Sequence, residues 1–113
     1  YKVNNDGFNI LYTTDCEHPK NHFNKNVESL AKDADILIHD SHFSREDLGN
    51  HKGWGHSSWE TTINLAKKMN VDKAILYHYN PLYSDDKLLD IEKKAKQAFE
   101  NSIASKQGMR IDF

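Results

Sequence analysis

Three short apolar runs in this chain each stop on residues that bind metals or carry protons. That pattern constrains the fold more than any other feature. The first run, Phe8 to Thr14, closes on Thr13-Thr14-Asp15. The second, Ile36-Leu37-Ile38, closes on His39-Asp40-Ser41-His42. The third, Val71 and then Ala74-Ile75-Leu76-Tyr77, closes on His78. Apolar runs of this length read as strands, and the unbroken Ile36-Leu37-Ile38 run predicts a strand buried on both faces. In α/β sheets, ligands collect outside the carboxyl ends of the strands. Strands sharing a direction would therefore bring Asp15, Asp40 and His78 to one edge, with the Gly53-Trp54-Gly55-His56 loop beside them.

The segments between the runs read as helices and turns. Tyr1 to Val3 pairs with the first run through Asn4-Asn5-Asp6-Gly7, which has hairpin turn chemistry. Asn24 to Lys32 is a short helix with Val27, Leu30 and Ala31 on one side. A polar loop runs from Phe43 to Gly55. Ser57-Ser58-Trp59-Glu60 fits a capping box, and the helix behind it carries Trp59, Ile63, Ala66 and Met69 on one face. A long helix starts near Ser84-Asp85, where acidic residues suit the helix dipole, and spaces Leu88, Ile91, Ala95, Phe99 and Ile103. Gly108 is a stop signal, and Met109 to Phe113 is the expected last strand. The order of hairpin, α, β, α, β, α, β predicts an α/β layer.

Length and charge narrow the function. At 113 residues the chain holds one domain with a modest core. Its net charge of −2, with both signs mixed, provides no strongly basic face for non-specific nucleic-acid binding. The apolar runs are too short to cross a membrane as helices. Cys16 is the single cysteine, so an intrachain disulfide is excluded and a reducing, cytoplasmic setting is expected. The chain opens on Tyr1, and its methionines are Met69 and Met109, so a piece of a longer protein is expected. Seven histidines in so short a chain point to metal or acid–base chemistry.

A carboxylate with neutral imidazoles suits zinc, or manganese and iron where oxygens dominate. A carboxylate can bridge two cations about 3.5–4 Å apart, an arrangement suited to in-line displacement. A histidine outside the metal shell can then protonate the leaving oxygen. No HExxH, CxxC or glycine-rich phosphate loop is present, so no single spacing is diagnostic.

The ordered set Thr14-Asp15, His39-Asp40-Ser41-His42, Gly55-His56-Ser57-Ser58 and Tyr77-His78-Tyr79 resembles the C-terminal half of metallo-β-lactamase-fold phosphodiesterases. Ribonuclease Z and the bacterial cyclic phosphodiesterases are the best-known members. The resemblance covers most of the chain. It implies residues 1–113 as the C-terminal part of such a domain, half of an αββα sandwich, with a mixed sheet carrying helices on one face. It implies Asp15 as a carboxylate bridging two divalent metal ions and His78 as a ligand to one of them. It implies His56 as the proton donor, and Asp40, in the place of a glutamate, as the group that orients it. Two departures stand out. The family's HxHxDH motif and a further ligand histidine are absent from these residues, and are expected upstream of Tyr1. Gly53-Trp54-Gly55 and Trp59 differ from ribonuclease Z and favour a relative with another substrate.

Each residue also has a plainer reading. Asp15 alone is an ordinary turn or N-cap aspartate, and His78 alone a strand-end histidine bonded to backbone. His56 can simply precede the helix cap. His39 reads as a buried structural histidine, and His42 is ambiguous. His18, His22 and His51 read as solvated loop residues, Trp54 and Trp59 as packing groups, and Cys16 as a small buried residue. Taken together, the strand-end placement and the order of motifs favour a two-metal hydrolase of a small-molecule or nucleotide phosphodiester. The rivals are a same-fold hydrolase of a thioester, lactone or amide, and a metal-free binding or regulatory domain. A half-sandwich would expose apolar sheet surface, so self-association or pairing with the absent half is expected.

Overall fold

The computed structural model describes residues 1–112. The elements run β1 (Lys2–Asn5), β2 (Phe8–Thr13), α1 (Lys25–Ala31), β3 (Ile36–Asp40), α2 (Arg45–Leu48), α3 (Trp59–Lys68), β4 (Lys73–Tyr77), α4 (Asp85–Ala98) and β5 (Ser102–Ala104). They form one five-stranded sheet in the order β1-β2-β3-β4-β5. The β1–β2 hairpin is antiparallel, and every later pair is parallel. The hairpin turns on Asp6 and Gly7, both at positive φ (49° and 89°), the geometry that twists in step with the strands it joins.

Strand order explains why the helices share a face. Each crossover steps one strand further in the same direction. Right-handed crossovers then place α1, α3 and α4 on the same side. Side chains alternate along a strand, and the register aligns Leu11, Leu37, Ala74 and Ser102 under the helices, with His39, Leu76 and Ala104 two residues further on. All seven are buried, and Leu11, Leu37, Ala74 and Leu76 pack with Ala31, Ile63, Ala66, Ile91 and Ala95. Each large side chain so buried contributes about 1.5–3 kcal/mol. The opposite face carries Ile10, Tyr12, Ile36, Ile38, Ile75, Tyr77 and Ile103. None of these belongs to the helix-side core. Tyr12 and Tyr77 are exposed there, their rings 5.9 Å apart.

Local signals account for the helix starts. Asn24, Ser58 and Ser84 cap α1, α3 and α4, each accepting from backbone N–H groups of the first turn.

Several expectations are corrected. The capping box lies one residue later than the sequence indicates: Ser58, not Ser57, is the cap, with Thr61 as its partner. The Glu60 carboxylate accepts instead from the Arg45 N–H. The loop from Phe43 to Gly55 contains the short helix α2, capped by Ser44. Helix α4 ends at Ala98, and Ile103, expected on it, lies in β5. The last strand is therefore Ser102–Ala104, while residues 109–112 form none and Phe113 lies outside the described residues. The expected burial of β3 largely holds: Ile36 and Asp40 on one side and Leu37 and His39 on the other are buried, and only Ile38 is half-buried.

Candidate metal and acid–base site

The parallel register brings the carboxyl ends of β2, β3 and β4 together, with Thr13 beside His39 and Asp40 beside Tyr77. Beyond these ends the chain turns sharply. Asp15 and His78 both adopt left-handed backbone conformations (φ 49° and 63°). That conformation costs a non-glycine residue about 1 kcal/mol or more and recurs at functional sites.

Asp40 is the hub. Its side chain is fully buried, and five donors converge on its two oxygens. Oδ2 accepts from the Asp15 N–H at 2.9 Å, His56 Nδ1 at 3.0 Å and His78 Nδ1 at 3.1 Å. Oδ1 accepts from the Ser57 N–H at 2.9 Å and the His42 N–H at 3.3 Å. Burial by itself would raise the Asp40 pKa. The hydrogen bonds from Ser57, His56, His78 and His42 outweigh it and hold the carboxyl below its ordinary value. The buried group is therefore an anion, and hydrogen bonds and flanking imidazoles balance its charge.

These bonds fix the histidine tautomers. A carboxylate only accepts, so His56 and His78 carry a proton on Nδ1 and, when neutral, present a bare Nε2. His42 Nδ1 donates to the His78 carbonyl at 3.1 Å, so its Nε2 is likewise bare. The His42 and His56 rings stack at 4.2 Å, and one ring nitrogen from each of His42, His56 and His78 lies within 4.8 Å of the others. Burial lowers the His42 pKa, and His56 lowers it further, which favours the neutral ring. The Asp15 carboxylate is 74% exposed and 3.8 Å from His78 Nδ1.

These donors fit a borderline divalent cation: imidazole nitrogens held in one tautomer by an acceptor behind them, and a free carboxylate alongside. All four residues singled out in the sequence, Asp15, Asp40, His56 and His78, therefore meet at one edge. His42, ambiguous in the sequence, joins them.

Other residues differ from their sequence reading. His18 is not a solvated loop residue: it is half-buried, with Nε2 3.0 Å from His39 Nε2. His51 is not solvated either, since it stacks on Phe43 at 4.6 Å and bonds the Asp47 carbonyl. His22 is exposed, as read. Trp59 enters the core, whereas Trp54 is 66% exposed. His39 is fully buried and Cys16 half-buried.

The sequence reading missed Glu17. Its carboxylate accepts from the Gly53 N–H at 2.8 and 3.0 Å and the Gly55 N–H at 2.9 Å, tying the loop after β2 to the loop before α3. Gly53 and Gly55 sit at φ 86° and 84°, so glycine suits both positions. These bonds hold the Glu17 pKa below its ordinary value. The sequence reading also missed a cleft of about 570 Å³ beside His56, walled in part by Lys20, Arg45 and Lys52. Among the described residues, none of these three cations has an ion-pair partner.

Comparison with known proteins decides the family. The family described as the beta-lactamase superfamily domain matches residues 1–79. The chain belongs to this family. Curated relatives include ribonuclease Z of Archaeoglobus fulgidus, 37% identical over 110 residues, which cover 94% of this chain and 33% of that one. Ribonuclease Z of Bacillus subtilis is 30% identical over 86 residues, 76% of this chain and 28% of the relative. The chain thus spans about a third of the length of these relatives. Among solved structures, the metallo-beta-lactamase fold protein YhfI of Bacillus subtilis matches with a TM-score of 0.73 at 20% identity, over 96% of this chain and 41% of that one. The short form of human tRNase Z matches with a TM-score of 0.67 at 18% identity, over 98% of this chain and 36% of that one. The fold of this superfamily member is therefore that of the metallo-β-lactamases, as the resemblance of its ordered motifs implied.

Proposed function

We propose that this chain is the C-terminal part of a metal-dependent hydrolase that cleaves phosphodiesters. The observation that carries this reading is the buried Asp40 carboxylate, which holds His56 and His78 with each Nε2 bare, beside a cleft bearing three unpaired cations. Asp15 and His78 would hold metal, with further ligands from upstream residues. When bound, two divalent cations, zinc or else manganese or iron, supply an activated water and offset charge on the transferring phosphoryl group.

The chain's own residues do the rest. Arg45, Lys52 and Lys20 attract and orient an anionic substrate in the cleft, a task that a neutral lactone or amide does not require. His56 delivers a proton to the leaving oxygen. It can do so because Asp40 stabilises the imidazolium and fixes which nitrogen faces outward. Asp40 remains ionised throughout, since five donors surround it. The ribonuclease Z relatives favour a nucleotide or RNA phosphodiester.

The open face of Ile10, Ile38 and Ile103 with Tyr12 and Tyr77 would pack against the N-terminal half, or self-associate without it. No helix among the described residues is long and apolar enough to cross a membrane, and the lone Cys16 suits the reducing cytoplasm.

The test is turnover of bis(p-nitrophenyl) phosphate by the full-length protein with added manganese or zinc, alongside a thioester and a lactone. Phosphodiester turnover supports the reading. Turnover of the thioester or lactone alone overturns it in favour of the rival hydrolase. No turnover of any of the three, in protein shown to bind metal, favours a binding domain.

A further inference from the structure

We propose that Cys16, His18 and His39 form a separate metal site for a zinc-class cation, clipping the loop after β2 to the end of β3. The site lies apart from the Asp40 cluster because consecutive strand residues face opposite ways: Asp40 points to the open face, and His39 points under the helices.

Three observations carry the inference. First, one sulfur and two imidazole nitrogens from these residues lie within 4.8 Å of one another. Thiolate with imidazole is the donor set that zinc prefers over magnesium or calcium. Second, His18 Nε2 and His39 Nε2 are 3.0 Å apart, with their ring planes inclined by only 3°. Tetrahedral zinc with bonds of about 2.0–2.1 Å places two nitrogens about 3.3 Å apart, so the pair need open by only a few tenths of an ångström. Third, the far side of His39 is already fixed. Its Nδ1 faces the Asp40 carbonyl and Thr62 Oγ1, both at 2.9 Å, so the proton sits on Nδ1 and Nε2 offers a lone pair.

The opposing terms lie in the protons: burial, and in lesser part the Asp40 charge, push the Cys16 thiol pKa up, so the metal must displace a thiol proton. His18 Nδ1 accepts from the Asn24 N–H at 3.0 Å, so its proton now lies on Nε2, between the rings. Binding moves that proton to Nδ1 and gives up the Asn24 bond, while the Cys16 thiol proton leaves to solvent. Asn24 is half-buried, so water can take over its N–H, and losing one such bond is a minor cost against the affinity of thiolate–imidazole zinc sites. Three protein ligands leave one position for water. The clip would fix the loop that carries Asp15 and Glu17, and so the position of Asp15 at the Asp40 site.

Cobalt(II) titration of the metal-free, full-length protein tests this directly, because thiolate bound to cobalt gives a near-ultraviolet charge-transfer band that nitrogen and oxygen ligands do not. The expected result is a band that saturates with bound cobalt, disappears in Cys16→Ser, and requires at least about tenfold more cobalt in His18→Gln, since losing even an outer-shell partner of a ligand costs about that much. Both substitutions lie on a partly exposed loop, which spares the fully buried His39. No band at excess cobalt overturns the proposal, as does a band that survives Cys16→Ser. Since Asp15, His56 and His78 contain no sulfur, this outcome is independent of whether the protein hydrolyses a phosphodiester.

Discussion

His39 and Asp40 are neighbours in the chain and opposites in character. His39 is fully buried under the helices, and burial together with the nearby His18 pushes its pKa down to about 4, so it is a neutral ring. Asp40 is equally buried on the other side of the sheet, yet it is an anion, because five donors surround it. Burial alone therefore does not decide charge here: it leaves His39 neutral, whereas the donors aimed at Asp40 outweigh it. The same contrast separates the two histidine groups. His18 and His39 share a proton between their Nε2 atoms, whereas His42, His56 and His78 each tie up Nδ1 against an oxygen acceptor.

The largest effects should fall on the Asp40 side and appear in the rate. In the full-length protein, Asp15→Ala should lower metal content and rate together. His56→Ala should leave metal content nearly unchanged and cost about 10²–10⁴ in rate, the range for a lost general acid. That cost should shrink for a substrate with an activated phenolate leaving group, which departs without a proton. Metal analysis with rates on activated and unactivated diesters checks both. If His56→Ala loses metal as Asp15→Ala does, His56 is a ligand like those proposed, Asp15 and His78, and the division between acid and ligand breaks.

Next comes Asp40→Asn. An orienting role alone would make it a milder version of the His56 loss, a misorientation without removal. The five converging donors make it harsher, because an amide must turn its NH₂ toward donors whichever way it faces. Removing the buried charge from its partners should cost about 3–5 kcal/mol of stability, read by denaturant unfolding. A neutral variant as stable as the wild type would show that the hub does not hold the site together.

The smallest effect belongs to the helix side and should appear in stability. The folded-state pKa of His39 is about 4, below the ordinary 6.5, so the unfolded chain binds this proton first as pH falls. The contribution of the neutral ring is complete above pH 6.5 and is lost progressively down to about pH 4. For this fully buried group it amounts to about 3 kcal/mol. Urea unfolding of metal-free protein at stepped pH should show that slope. A flat stability profile through this window would mean that His39 does not titrate as a buried neutral ring.

The sequence alone determined most of the elements, though not all of their ends. Apolar runs of strand length, a two-residue hairpin turn and serine or asparagine caps are local, and each acts through residues within a few positions of itself. The arrival of Asp15, Asp40 and His78 at one edge also follows from local order, because parallel strands joined by helices must end on the same side. What the sequence could not determine depends on contacts across long loops. Glu17 finds the Gly53 and Gly55 amides, and His42 reaches the His78 carbonyl. His18, read as a solvated loop residue, folds in against His39. The short helix α2 places Arg45 at the cleft. Ile103 leaves the helical repeat for β5, where pairing with Ile75 outweighs a spacing that also suits a helix. Side-chain periodicity shows which residues share a face. Only the assembled sheet, with its helices all on one side, decides which face is covered and which nitrogen meets which oxygen.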